Sequence, residues 1–304
     1  MVPPARRVRR PPPEGVRAGL GRPGARPASL VPPARRVRRP PPEGVGAGVG
    51  RPGARPGAPP TRRSRCVWLF DLDNTLHDAS HAAFGPTNLA MTEYMVEHLS
   101  LTHQGASELR QHYWNHYGAT LLGLVRHHGV KASHFLEQTH RLPGLEQRLR
   151  SSAHDRAALV RLRGRKFILT NAPRAYALRV LNTLGLAACF DGVLSIEDMT
   201  VFGQLRPKPD ARMFRHVAAR LKARLSDCVL VEDTLEHQKA AYSLGMRTVW
   251  MQRYLEGRFR GAPWGVSQGA ANNGRNRREV GVHPCRKPPY VYAKIKSIRT
   301  LLTL

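Results

Sequence analysis

The chain has 304 residues, of which 41% are hydrophobic, so it is long enough for one large domain or two smaller ones. No window approaches the roughly 18 consecutive apolar residues that a membrane span requires, and no signal-peptide pattern opens the chain. The formal net charge of +28 is concentrated in residues 1–65, with 16 Lys and Arg against 2 acids, and in residues 256–304, with 10 against 2. The four cysteines are widely spaced and form no CxxC pair, which favours a reduced, cytoplasmic protein.

Residues 1–64 form a tandem repeat, in which VPPARRVRRPPPEGV at positions 2–16 recurs at 31–45. The segment is rich in Pro, Gly and Arg and lacks aromatic residues, so it cannot bury enough apolar area to offset the entropy of ordering. We predict a disordered extension. A transit peptide and a polyanion-binding tail that attracts nucleic acid are alternatives, but an extension without a catalytic role is favoured.

From residue 65 onward, short apolar runs alternate with amphipathic helical patterns. This alternation is typical of a parallel sheet with helices on both faces, so we predict an α/β fold with a Rossmann-like core at residues 65–78 and 156–256. The predicted strands are VWLF at 67–70, KFILT at 166–170, DGVLS at 191–195, CVLVE at 228–232 and TVWM at 248–251.

Residues 79–155 contain helical patterns but no convincing strand, which predicts an all-helical cap inserted over the carboxyl edge of the sheet. Ligands of open α/β sheets bind at that edge. Residues 257–287 are rich in Gly, Asn and Arg and are predicted to be a flexible basic insertion, whereas residues 288–304 are predicted to return to the core.

Two carboxylates, Asp71 and Asp73, follow directly after the first predicted strand. Carboxylates this close repel each other unless a cation lies between them or one of them holds a proton. A carboxylate can attack phosphorus while its neighbour donates and then accepts a proton, and Mg²⁺ would neutralise the phosphoryl charge. An acidic turn that merely ends a strand explains most isolated pairs of this kind, but an apolar strand directly before D-x-D-x-T is more specific.

Three further motifs follow DLDNT in order: LTNAPR at 169–174, RPKPD at 206–210 and VLVEDT at 229–234. Together the four motifs resemble those of the haloacid dehalogenase superfamily of phosphohydrolases. The resemblance implies that Asp71 is the nucleophile, that Asp73 is the general acid and base, and that Lys208 holds the negative charge of Asp71 and the phosphoryl group. Thr170 and the Asn171 amide would bind phosphate oxygens.

The same resemblance implies a magnesium site. Asp71, the backbone carbonyl of Asp73 and Asp233 would bind the ion, and Glu232 would support these ligands without contacting it. The dehalogenase branch of the superfamily lacks the second aspartate, so Asp73 argues for phosphate ester chemistry.

Within the superfamily, the chain is most similar to bacterial and fungal pyrimidine 5′-nucleotidase-like proteins, through FDLDNTLHDASHAAF, the cap stretch YWNHYGATLLGLVRHHG at 113–129 and LTNAPRAYALRVLNTLGL. This implies a nucleoside 5′-monophosphate as the substrate. A phosphatase of another small metabolite, such as a sugar phosphate or phosphoglycolate, is one alternative, and a polyanion-binding protein that acts through its basic tails is another. No membrane partner is expected, and the sequence does not indicate an oligomeric state.

Histidines raise two further questions. The family has an asparagine where this chain has His237, which is either a tolerated change on a helix surface or a change in the surroundings of the metal, and the first reading is favoured. His127 and His128 lie inside the matched cap stretch, so they are weak candidates for contact with the substrate, although scattered cap histidines are more often solvated.

Overall fold

The computed structural model describes residues 65–150, 152–255 and 287–304. The extension at residues 1–64 and residues 257–286 of the basic insertion lie outside the described residues, so the predictions made for them stay predictions.

The predicted α/β fold is confirmed, because one sheet of six parallel strands forms the centre of the described chain in the order β3-β2-β1-β6-β7-β8. All five predicted strands are present. The sequence did not predict β8 as a strand, nor the short hairpin of β4 and β5, whose strands have only two residues each. The strands are β1 Val67–Phe70, β2 Arg165–Leu169, β3 Gly192–Leu194, β4 Thr200–Val201, β5 Gln204–Leu205, β6 Cys228–Glu232, β7 Arg247–Met251 and β8 Ala293–Ile295.

Strand β1 lies in the middle of the sheet and is buried on both faces. Trp68 and Phe70 pack into the apolar cluster on one face, whereas Val67 and Leu69 pack into the cluster on the other. Successive side chains of a strand point to opposite faces, so a strand covered on both sides needs an unbroken apolar run. This requirement explains why VWLF precedes the two acids.

Helices cover both faces of the sheet, and seven of them lie between β1 and β2. No helix in the described ranges combines the length and the apolar character that crossing a membrane would need. The helices are α1 Ala79–Ala82, α2 Phe84–Leu99, α3 His103–Tyr117, α4 Thr120–His128, α5 Ala132–Thr139, α6 Leu145–Arg148, α7 Ala153–Arg161, α8 Arg174–Thr183, α9 Ala211–Arg220 and α10 Leu235–Ser243.

Helices α2 to α5 share an apolar cluster that includes Met95, Tyr113, Leu124 and Phe135, and Ile196 from the segment after β3 also belongs to it. In contrast, α1, α6 and α7 contribute residues to the cluster on one face of the sheet. The predicted boundary between residues 155 and 156 falls inside α7. The division into core and cap therefore stays a prediction.

The contact between α3 and α4 depends on a glycine. A Cβ atom on Gly123 would lie 2.2 Å from Cγ of Tyr113, which is closer than packed atoms can approach. We expect Gly123→Ala to lower the free energy of unfolding by about 1–3 kcal/mol, because overpacking outweighs the better helix propensity of alanine. Urea denaturation measures the change.

The matched control is Gly85→Ala in α2, where a Cβ atom would meet no atom within 4 Å. This change should leave stability unaltered or raise it by a few tenths of a kcal/mol. Equal destabilisation by both substitutions would contradict the packing argument.

Candidate active site

The order of the strands brings the two acidic motifs together. The chain runs from β1 outward to β2 and β3, and then crosses back to place β6 on the other side of β1. Parallel strands on either side of such a reversal leave a crevice at their carboxyl ends. Asp71 follows β1, and Glu232 and Asp233 lie at the end of β6, so these acids meet in that crevice.

A buried lysine lies between two of these acids. Lys208 comes from the loop after β5, and its Nζ donates to Asp71 Oδ1 at 2.6 Å and to Glu232 Oε2 at 2.8 Å. Glu232 Oε1 accepts from the backbone N–H of Thr234 at 3.2 Å, so both of its oxygens are engaged within the protein. Glu232 therefore holds Lys208 in place, and its supporting role at a metal site stays a prediction.

Burial and the neighbouring charges shift the pKa of each group. Burial, together with the negative charge of Glu232, raises the pKa of Asp71 to about 6, although Lys208 opposes the shift. The pKa of Glu232 is lowered, because Lys208 and His237 outweigh the effect of burial. Burial disfavours the Lys208 ammonium, but Asp71 and Glu232 raise its pKa above the ordinary value. The single positive charge of Lys208 does not neutralise the carboxylates of the crevice, so an excess of negative charge remains.

That excess charge fits a divalent cation. Ligand oxygens of Asp71, Glu232 and Asp233 all lie within 4.8 Å of one another, and all three residues are buried. Hard cations such as Mg²⁺ prefer carboxylate oxygens, and a nearby cation would offset both the burial and the repulsion by Glu232 that raise the pKa of Asp71. Because Glu232 is occupied by Lys208, we expect Asp71 and Asp233 to be the carboxylate ligands.

Magnesium should therefore stabilise the folded protein. At a Mg²⁺ concentration 100-fold above Kd, the expected gain is about 2.7 kcal/mol, because only the folded chain brings the carboxylates together. Thermal melts with EDTA and with Mg²⁺ measure this gain. Asp233→Asn should lose most of it, whereas Asp227→Asn, at the opposite end of β6, should retain it; no Mg²⁺ effect in the parent would contradict the site.

The predicted phosphate-binding residues follow β2. Thr170 is buried, and its Oγ1 accepts from the backbone N–H of Ala172 at 3.0 Å, which leaves the hydroxyl hydrogen to donate. The Asn171 carboxamide has a role that the sequence did not suggest: its Oδ1 accepts from Lys208 N at 2.9 Å and its Nδ2 donates to Lys208 O at 3.0 Å. Asn171 therefore fixes the backbone of the buried lysine.

Asp73 lies at the edge of the crevice, with 20% of its side chain exposed. Its Oδ1 accepts from the Tyr176 hydroxyl at 2.7 Å and lies 3.0 Å from His77 Nε2. Although burial acts in the opposite direction, the contacts with His77 and Tyr176 lower the pKa of Asp73. Neither partner was predicted from the sequence, and for Tyr176 the reason is that no pattern links it to a residue 103 positions earlier.

A cavity of about 390 Å³ adjoins Asp73 through Tyr176. The side chains of its wall include the Tyr176 and His140 rings, which pack edge to face with centroids 5.7 Å apart. Glu137 and Arg141 at the rim form an ion pair at 3.1 Å. The lining residues are Ser133, Leu136, Glu137, His140, Arg141, Pro173, Ala175, Tyr176, Arg179 and Glu197.

Neither His127 nor His128 lines this cavity. Both side chains are exposed on α4, and their Nε2 atoms bond to the hydroxyls of Tyr117 and Tyr113 on α3, at 2.8 Å for Tyr113 and His128. The structure therefore gives no support to contact between these two histidines and a substrate.

His237 faces the crevice instead of the solvent. Only 18% of its side chain is exposed, and its Nδ1 lies 3.0 Å from Glu232 Oε2. The expected position on a helix surface is wrong, because the first turn of α10 brings His237 back to the end of β6. That the change is tolerated stays a prediction. The histidine contacts the carboxylate that holds Lys208.

The chain matches a family model and is similar to curated proteins. A family model described as a haloacid dehalogenase-like hydrolase matches residues 67–245, more than half of the chain. Phosphate metabolism protein 8 of Saccharomyces cerevisiae is 25% identical over 203 residues. That match covers 62% of this chain and 62% of the yeast protein, so the chain spans less than two thirds of this relative.

Two solved structures are also similar. A HAD phosphatase from Thermococcus onnurineus shares 18% identity and a TM-score of 0.46, over 78% of this chain and 96% of that one. The putative HAD-hydrolase YfnB from Bacillus subtilis, solved bound to magnesium, shares 17% identity and a TM-score of 0.45, over 78% and 97%.

Proposed function

The chain belongs to the haloacid dehalogenase-like hydrolase family, and from this premise we propose that it is a magnesium-dependent phosphomonoesterase acting on nucleoside 5′-monophosphates. The observation that carries the proposal is the pair Asp71 and Asp73 at the end of β1. Asp71 is held by a buried lysine, whereas Asp73 keeps an exposed carboxylate edge. This arrangement gives the two acids different tasks.

In the first step, an Asp71 carboxylate oxygen attacks the phosphorus of the ester. The bond between phosphorus and the leaving oxygen breaks, and Asp73 transfers its proton to that oxygen, so the alcohol departs and an aspartyl-phosphate remains. The negative charge of the incoming phosphate raises the pKa of Asp73, and this favours the protonated carboxyl that the step needs.

In the second step, water attacks the phosphorus and gives a proton to Asp73. The bond between phosphorus and the Asp71 oxygen breaks, inorganic phosphate leaves and Asp71 is regenerated. Throughout, Lys208 offsets negative charge, and the Thr170 hydroxyl and the Asn171 N–H are positioned to donate to phosphoryl oxygens. Mg²⁺ held by Asp71, the Asp73 carbonyl and Asp233 would neutralise phosphoryl charge.

The more specific proposal is that the substrate is a nucleotide. It is supported by the cavity beside Asp73, whose wall includes the rings of Tyr176 and His140 and whose volume lies within the usual range for small-molecule sites. The resembling cap stretch at 113–129 does not line this cavity. Substrate choice would instead depend on α5 and the first turns of α8.

A screen of phosphate esters tests this proposal. The purified chain, with Mg²⁺, should release phosphate from pyrimidine 5′-nucleotides at higher kcat/KM than from sugar phosphates or phosphoglycolate. The reverse order would overturn the nucleotide assignment and favour the phosphatase of another small metabolite. No release from any ester would overturn the phosphomonoesterase itself.

A further inference from the structure

The carboxylate of Asp73 is held at one oxygen by two buried donors. The Tyr176 hydroxyl lies 2.7 Å from Oδ1 and the His77 Nε2 lies 3.0 Å from the same atom. Tyr176 is 2% exposed and His77 is 1% exposed. Among the described residues, no hydrogen bond reaches Oδ2, so the two oxygens of this carboxylate have different surroundings.

The hydrogen-bonding roles of the two partners follow from their surroundings. No partner in the described part of the chain reaches the buried Nδ1 of His77. A hydrogen on that nitrogen would be buried without an acceptor, so the satisfied tautomer carries its hydrogen on Nε2 and donates to Asp73. The Tyr176 hydroxyl can only donate to a carboxylate oxygen that lacks a proton.

The two donors are anchored in different parts of the fold. Tyr176 lies in the first turn of α8, the helix that follows β2, and its ring also forms the wall of the cavity. His77 lies between β1 and α1, where its backbone forms a bridge with that of Asp73. A carboxylate that is hydrogen-bonded to two fixed elements cannot rotate freely about the χ2 torsion of Asp73.

We propose that Tyr176 and His77 are positioning residues that fix Oδ1 of Asp73, so that Oδ2 is the atom that gives the proton to the leaving oxygen and later takes one from water. This inference rests on the proposed phosphomonoesterase function. Attack of the Asp71 oxygen on phosphorus uses neither side chain, whereas departure of an alkoxide leaving group needs the proton of Asp73. Loss of a donor should therefore impair the proton transfers and leave the attack on phosphorus largely intact.

Leaving-group dependence separates these effects. Tyr176→Phe keeps the ring in the cavity wall and removes only the hydroxyl. We expect kcat for alkyl phosphates, whose leaving oxygen needs a proton, to fall by about 10- to 100-fold, a part of what general acid catalysis contributes. For 4-nitrophenyl phosphate, whose leaving group departs without a proton, rapid mixing should show a burst of one nitrophenolate per enzyme followed by slow turnover.

The matched control is Tyr94→Phe in α2, which removes the hydroxyl of another buried tyrosine, one that bonds His134 Nδ1 at 3.0 Å instead of Asp73. Tyr94→Phe should neither lower kcat for alkyl phosphates nor produce a burst with 4-nitrophenyl phosphate. His77→Leu should reproduce the pattern of Tyr176→Phe, and His77→Gln, which keeps an N–H donor, should restore part of the rate. Thermal melts of each variant establish that it is folded.

The outcomes distinguish failure of the positioning role from failure of the proposed phosphomonoesterase function. Equal losses on alkyl and aryl esters without a burst, or the same losses in Tyr94→Phe, would overturn the positioning role while the phosphomonoesterase stands. Unchanged kcat on alkyl phosphates in folded Tyr176→Phe and His77→Leu would do the same. A parent enzyme that hydrolyses no ester would overturn the proposed function and this inference with it.

Discussion

Asp71→Asn is expected to lower turnover of every phosphate ester by roughly 10⁴- to 10⁶-fold, as does removal of a nucleophile in other hydrolases. The carboxamide has the same shape but cannot form the phosphorylated intermediate. Phosphate release under saturating ester measures the loss. Asp227→Asn, which changes a carboxylate at the opposite end of the sheet, should keep full activity.

The Asp71→Asn variant should be no less stable than the parent. The pKa of Asp71 is raised to about 6 in the folded protein, mainly by burial, against an ordinary value of 3.8. Between these two values the folded state holds a proton that the unfolded chain has released, so in the absence of metal the parent becomes less stable as pH rises through this window. Asparagine has no such penalty.

Thermal melts in EDTA at pH 5 and pH 7.5 test whether the parent loses stability as pH rises. We expect Asp71→Asn to be at least as stable as the parent at pH 7.5, with a smaller difference at pH 5. Activity that survives in the variant would refute Asp71 as the nucleophile. A variant that fails to fold at pH 7.5 would refute the electrostatic account of the crevice.

Lys208→Met is expected to lower both stability and turnover. The lysine is 2% exposed and bonds two buried carboxylates, so its removal leaves Asp71 and Glu232 without a compensating charge. Breaking a buried ion pair from one side typically costs about 3–5 kcal/mol, and we expect a loss of that size in urea denaturation with EDTA. Turnover should fall because the phosphoryl charge loses its nearest ammonium.

A double variant separates charge from packing. Adding Glu232→Gln to Lys208→Met removes one of the two stranded carboxylates, so it should recover part of the lost stability but none of the turnover. Lys239→Met on the exposed face of α10 controls for the loss of a surface lysine and should change unfolding by less than about 0.5 kcal/mol. A loss below about 1 kcal/mol in Lys208→Met would contradict the buried pairing.

Local patterns in the sequence predicted the sheet well. The central strands β1 and β6 are largely apolar runs that are buried along their whole length, and such a run is visible without knowledge of its neighbours. The hairpin of β4 and β5 was missed because two residues are too few for any periodicity. The inward position of His237 was also missed, since its contact depends on the end of a strand that precedes its helix.

The sequence alone determined the α/β class, the ends of the central strands and the residue types at those ends, because burial periodicity and motif spacing are properties of consecutive residues. Only the tertiary structure decided which groups meet. The order of strands placed Asp71 beside Glu232, Asn171 on the backbone of Lys208, and Tyr176 on Asp73. Hydrogen bonds form over less than about 3.5 Å, and distances that short between residues far apart in sequence depend on the path of the whole chain.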